Sequence, residues 1–258
     1  MKDKHRLDQL LVERGLAESR SQAQALILSG NVFSGERRLE KPGQTVPAHV
    51  PVTVRGRAHP WVSRGGIKLA HGLDQFAIDP AGLICLDVGA STGGFTHVLL
   101  TRGAARVYAV DVGHGQLAWT LRQDPRVIVL ERVNARSLGR EHVPEPVDLI
   151  VCDVSFISLE TALPAAMALA AARAWLVALI KPQFEAGRQQ VGKGGVVRDP
   201  AVREAVCRRL VAWIDSCREW FVIGIVESPI TGPEGNIEYL IAARKAGTGS
   251  PARSSHEQ

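Results

Sequence analysis

The sequence predicts an α/β protein: a mostly parallel, doubly wound sheet with a late antiparallel strand, preceded by a small α+β module. Three observations carry this. An apolar run over residues 83–86 enters a glycine-rich turn at 87–96, and Phe95, Val98, Leu99 and Leu100 follow at helical spacing. That is a buried strand, a tight turn and a helix start in succession. From residue 67 onward, short apolar runs alternate with helical patterns, as parallel strands joined by crossover helices require. Finally, residues 1–60 hold 10 Lys and Arg against 6 Asp and Glu, whereas the rest of the chain holds 21 against 20.

Element by element, Leu7, Leu10, Leu11 and Val12 before Gly15 predict a short amphipathic helix with a glycine stop. Ser19 is the expected N-cap of a second helix, with Ala23, Leu26 and Ile27 on its apolar face and Gly30 at its end. Val32 and Phe33, a polar turn at 34–36 and strand-like segments to Val54 complete a small basic domain over 1–58. Residues 59–64, with His59 and Pro60, read as an interdomain linker, and 65–245 as the α/β domain. Within it a helix is expected over 66–76, strands over 83–88, 107–110, 127–130, 147–152, 175–180 and 221–226, and a helix over 203–213. A last strand over 237–243 is expected to lie antiparallel at the sheet edge. Residues 246–258 are expected to form a disordered tail.

The 258 residues are 45% hydrophobic and 22% charged, with a net charge of +5, ordinary for a soluble globular protein. A basic module on a near-neutral body points to a polyanion-binding appendage, with a plain solvated surface as the competing reading. Cys85, Cys152, Cys207 and Cys217 have neither metal-ligand nor CxxC spacing, so reduced thiols in a cytoplasmic protein without metal are expected. The start is charged and lacks the apolar stretch of a signal peptide. Residues 162–180 are long and apolar enough to span a bilayer. Arg173 inside that stretch, Pro164 near its start and the strand-like 175–180 favour a helix followed by a core strand, with no membrane partner.

The turn reads Gly89-Ala90-Ser91-Thr92-Gly93-Gly94. Ser91 replaces the glycine that a dinucleotide pyrophosphate needs closest to the backbone. Asp87 carries negative charge toward the site, which suits a cationic ligand. Asp111 ends the next strand, at the offset where an acidic residue binds ribose hydroxyls. Asn134 follows the third strand and is placed to read adenine or its ribose. S-adenosylmethionine is therefore expected over a nicotinamide cofactor, held by Asp87, residues 89–94, Phe95, Asp111, Asn134, Asp153 and Phe156. A turn that only packs helix against strand is the alternative.

Asp153 and Lys181 end the fourth and fifth strands, where open parallel sheets bind ligands. Lys68 lies in the helix before the first strand and Glu238 in the last strand. The strings WVSRGG, DVGASTGGFT, AVDVGHGQLAW, VSFISL, KPQFE and GNIEY complete the pattern. On these strings the chain resembles the TlyA family of haemolysin-like ribosomal RNA 2′-O-methyltransferases, whose catalytic domain is similar to the FtsJ/RrmJ RNA methyltransferases. The N-terminal stretch from Arg6 to Val32 resembles the small RNA-binding fold of a ribosomal protein, S4. The resemblance implies a Rossmann-like S-adenosylmethionine-dependent methyltransferase fold and a Lys-Asp-Lys-Glu tetrad at Lys68, Asp153, Lys181 and Glu238. It also implies a cytidine target in 23S or 16S ribosomal RNA. Lys181 is the candidate base, and Lys68 favours its free amine by like-charge repulsion. Asp153 and Glu238 oppose that and mainly orient the lysines. Arg6, Arg20 and Lys41 in the small domain, and Arg64, Arg132, Arg136 and Lys193 around the site, are candidate RNA contacts. The loop 187–196 is a candidate cover for the site. Two rivals remain: a membrane-active haemolysin, and an RNA-binding ribosome assembly factor whose methylation is vestigial.

Overall fold

The computed structural model describes residues 4–17, 19–28, 30–55 and 59–247. The expected tail from residue 248 onward lies outside the described residues. The chain divides into two compact units at Arg64 and Gly65.

In the first unit, β1 (Lys4–Arg6) leads into α1 (Leu7–Glu13), and α2 (Arg20–Leu28) follows. The strands β2 (Val32–Ser34), β3 (Arg37–Arg38), β4 (Thr45–Pro47) and β5 (Thr53–Val54) complete it. β1 pairs with β4, and β2 lies between β3 and β5, all antiparallel. Ser19 Oγ accepts from the Gln22 backbone N–H at 3.2 Å, the cap expected of it. Leu7, Leu11, Ala23, Ile27 and Val32 are fully buried and form one apolar cluster.

The second unit runs α3 (Gly65–Gln75), β6 (Ile84–Val88), α4 (Gly94–Thr101), β7 (Arg106–Asp111), α5 (Trp119–Arg122), β8 (Val127–Glu131), β9 (Val147–Cys152) and α6 (Leu159–Ala168). It continues through β10 (Ala170–Ile180), α7 (Pro182–Glu185), α8 (Pro200–Ser216), β11 (Trp220–Glu227) and β12 (Tyr239–Lys245). Among the described residues its strands form a seven-stranded sheet in the order β11-β12-β10-β9-β6-β7-β8. The five strands from β10 to β8 are parallel.

The last strand is antiparallel, as expected, but it is not at the edge. β12 lies between β10 and β11 and pairs with both, leaving β11 as the edge. Leu240, Ile241, Ala242 and Ala243 are all fully buried, and a consecutive apolar run is what a strand covered on both faces needs. The apolar stretch at 162–180 resolves into α6 and β10. Its Arg173 sits at φ 64 where the β9–β10 register shifts, which keeps the guanidinium out of the core. Among the described residues no helix is long and apolar enough to cross a membrane.

This topology positions the site. The carboxyl ends of β6, β7, β9 and β10 deliver Gly89, Asp111, Asp153 and Lys181 to one edge of the sheet. Because β12 runs antiparallel with Tyr239 opposite Ile180, its first end reaches that same edge, with Glu238 one residue before it. α3 packs on β10 and β12. Gly72 permits the close approach, since a Cβ there would stand 3.2 Å from the Leu240 side chain. Lys68, one helical turn earlier, shares this buried face.

Candidate active site

A cleft of about 500 Å³ opens at the carboxyl edge, within the usual size range of small-molecule sites. Gly89 and Ser91, Asp111, Asn134 and Arg136, and Asp153, Ser155 and Phe156 line it. Gly89 has φ +85, and a Cβ there would meet the Asp153 carbonyl oxygen at 2.7 Å, so glycine is required for this crossing of two strand ends. Ser91 stands at φ 47, a left-handed conformation, and its backbone N–H donates to Asp111 Oδ2 at 2.8 Å. Asp111 Oδ1 accepts from the Gly113 N–H at 2.7 Å. The carboxylate is thereby fixed at the cleft wall, with lone pairs to spare for a ligand hydroxyl. Asn134 caps a short 3-10 turn, its Oδ1 accepting from the Arg136 backbone N–H at 3.0 Å.

The rest of the expected cofactor turn stands behind this wall. Ala90, Gly93, Gly94 and Phe95 are buried, Thr92 half-buried, and none of the five lines the cleft. Gly93, at φ +96, packs under Leu117 and Leu121. Asp87 is fully buried beneath the turn and accepts from Thr96 Oγ1 at 2.6 Å. Burial pushes its carboxyl up to about 7; the charges of Asp153 and Asp111 add to this and the Thr96 hydrogen bond opposes it. Asp111 and Asp153, unlike Asp87, line the cleft directly.

Beside the cleft, two ion pairs bring the four tetrad candidates into two couples. Lys68 Nζ lies 2.5 Å from Glu238 Oε2, with side-chain exposures of 9% and 0%. Lys181 Nζ lies 2.6 Å from Asp153 Oδ1, with exposures of 10% and 22%. Lys181 Nζ also donates to Ser155 Oγ at 2.8 Å. Gln183 Nε2 donates to Glu238 Oε1 at 3.4 Å, linking the segment after Lys181 to the second couple. Since Glu238 contacts Lys68 directly, most of the Lys68 charge is compensated there, which weakens its expected repulsion of Lys181.

Gly232 makes room for Glu238, since a Cβ there would lie 2.1 Å from Glu238 Oε1. Buried Asn236 donates to the Gly195 carbonyl at 2.9 Å and accepts from the Val197 N–H at 3.1 Å, tethering the end of the loop 187–196 next to Glu238.

Phe156, at φ 65 and 90% exposed, stands in the cleft wall against Phe184, ring centroids 4.8 Å apart. The candidate RNA contacts are all exposed. Arg6 and Arg20, however, both pair with the fully buried Asp8 at 3.0 and 3.2 Å, so they also clamp the first unit. Hydrogen bonds from Arg6 hold the Asp8 carboxyl well below the usual range, against the cost of burial.

Ser155 and Gln116 in the cleft, and Gln183 and Asn236 near Glu238, were not singled out by sequence. A lone Ser, Gln or Asn carries no charge or spacing signal, and the one available for Ser155 is that it follows Asp153 by two residues. Among the described residues no group of three or more His, Cys, Asp or Glu converges to hold a metal.

The cleft fits S-adenosylmethionine by its donor set: two carboxylates for a cation and for hydroxyls, an exposed aromatic ring and an amide. Residues 61–245 match the FtsJ-like methyltransferase family and residues 5–50 the S4 domain. The chain is 52% identical over 242 residues to the 16S/23S rRNA (cytidine-2′-O)-methyltransferase TlyA of Mycobacterium tuberculosis, covering 93% of this chain and 89% of that one. It is 41% identical to hemolysin A of Brachyspira hyodysenteriae, covering 91% of this chain and 98% of that one. A solved hemolysin-named structure from Streptococcus thermophilus superposes with a TM-score of 0.75 at 40% identity, over 99% of this chain and 92% of that one. The chain therefore belongs to the TlyA family of rRNA methyltransferases, with an S4 domain followed by an FtsJ-like methyltransferase domain.

Proposed function

We propose that this protein transfers a methyl group from S-adenosylmethionine to the ribose 2′-hydroxyl of a cytidine in 23S or 16S ribosomal RNA, in the cytoplasm. The observation that carries the reading is the pair of Lys–carboxylate couples, one buried and the other sharing Asp153 with the cleft. S-adenosylmethionine, when bound, supplies a methyl group on a sulfonium. Asp111 and Asn134 would hold its ribose and base end, and Asp153 and Phe156 its methionine end.

A ribose hydroxyl is a weak nucleophile at neutral pH and must shed its proton as it attacks. Lys181, as the free amine, takes that proton. Asp153 holds the Lys181 amine at the cleft, and Glu238 anchors Lys68 behind it. Alignment of the hydroxyl with the methyl group supplies much of the rate. The exposed cations Arg6, Arg20, Lys41, Arg64, Arg132, Arg136 and Lys193 engage phosphates and give affinity without reading bases. Residues 59–64 act as the linker between an RNA-binding and a catalytic domain.

The test is to map 2′-O-methylcytidine in both ribosomal RNAs with and without the enzyme. New methylation at a cytidine ribose supports the reading. Binding without methylation would make the protein an assembly factor, and membrane leakage without methylation a haemolysin.

A further inference from the structure

Two oxygens stand beside the Lys181 amine, and they act differently on it. Asp153 Oδ1 lies 2.6 Å from Nζ, yet it is buried and receives no aligned hydrogen bond. Its pull is charge attraction, which has little directional preference. The directed hydrogen bond from Nζ goes to Ser155 Oγ at 2.8 Å. Ser155 is itself exposed and lines the cleft, whereas Lys181 is nearly buried. The serine hydroxyl therefore joins the amine to the cleft by a directed bond, where Asp153 joins it by charge.

We propose that Ser155 is a positioning residue for Lys181, fixing the direction in which the amine presents its lone pair to the acceptor hydroxyl. This rests on the reading of Lys181 as the base. A tetrahedral nitrogen bonded to Cε and hydrogen-bonded toward Ser155 has its rotation about the Cε–Nζ bond set. Charge attraction to Asp153 alone leaves that rotation free. The other charged groups near Lys181 are Asp153, in contact, and the Lys68–Glu238 couple, reached through Gln183. Buried Asp87 and the Cys152 thiol lie behind Asp153.

The experiment compares wild type, Ser155→Ala, Ser155→Thr and Lys181→Ala, with labelled S-adenosylmethionine and ribosomal subunits lacking the modification. Cofactor affinity by calorimetry, kcat and KM are measured for each. Ser155→Ala is expected to lower kcat by roughly ten- to a hundredfold, as a misplaced base does. KM for the subunits and cofactor affinity should stay near wild type. Ser155→Thr, which keeps the hydroxyl, should restore most of the rate. A Ser155→Ala enzyme with wild-type kcat or with cofactor affinity lost in step with its rate, or a Ser155→Thr enzyme as slow as Ser155→Ala, overturns the proposal. Transfer retained by Lys181→Ala instead overturns the reading on which it rests, so the two failures are distinct.

Discussion

Lys68 and Glu238 meet at 2.5 Å across 170 positions of sequence, both almost wholly out of solvent. Removing one partner from such a couple leaves a buried charge without compensation and costs about 3 kcal/mol or more, whereas replacing both by apolar residues of similar volume is often close to neutral. Glu238→Leu should therefore destabilise the protein strongly in urea titrations, and Lys68→Met with Glu238→Leu should recover most of that loss. If the couple serves transfer, the double variant remains inactive although folded. An active double variant would remove both residues from the mechanism.

Asp87 links stability to pH. Its carboxyl is raised to about 7 in the folded protein by burial, from an ordinary value near 3.8. Between those two values the folded state holds a proton that the unfolded state has released. This contribution is therefore fully present at acid pH and is lost as pH rises toward 7. Asp87→Asn cannot ionise and should flatten the stability profile across that window, by an amount on the order of a few kcal/mol. Equal slopes for wild type and variant in denaturation midpoints at pH 5 and pH 8 would refute the assignment.

Gly89 at the cleft and exposed Gly115 separate backbone strain from collision. Gly89 has φ +85 and Gly115 φ +71, but only Gly89 would place a Cβ against another strand's backbone, 2.7 Å from the Asp153 carbonyl. Gly115→Ala pays the left-handed conformation alone, about 1–2 kcal/mol. Gly89→Ala must also displace the segment bearing Asp153. Calorimetry should show cofactor affinity lost in Gly89→Ala and largely kept in Gly115→Ala.

Exposed Lys41 and Lys193 should behave as phosphate contacts. Alanine at either should weaken binding across RNA sequences and reduce the slope of log affinity against log salt by about 1. Arg6→Ala should differ, lowering the stability of the S4 domain as well, because it strips a partner from the buried Asp8. Filter binding over a salt series, with parallel thermal melts, distinguishes the two behaviours.

Much of this molecule was legible in the sequence because strand ends are punctuated by residues with chemistry. Asp111, Asp153 and Lys181 each close or follow an apolar run, and the parallel-sheet rule puts all three at one edge. Lys68 and Glu238 were legible only by resemblance, since their meeting depends on where β12 inserts. The last strand was legible as a strand and as antiparallel, but its place inside the sheet is a tertiary choice that a turn signal does not encode. Charge signs were legible, and protonation states were not. Asp87 reads as an ordinary anion in sequence, and only the fold supplies the burial that pushes its carboxyl up to about 7.

The most direct measurement is methyl transfer by Lys181→Ala, using tritiated S-adenosylmethionine and purified ribosomal subunits. The variant is expected to fold, to bind the cofactor still and to transfer at least about a hundredfold more slowly, the scale of general-base catalysis. Turnover at the wild-type rate would contradict the reading of Lys181 as the base.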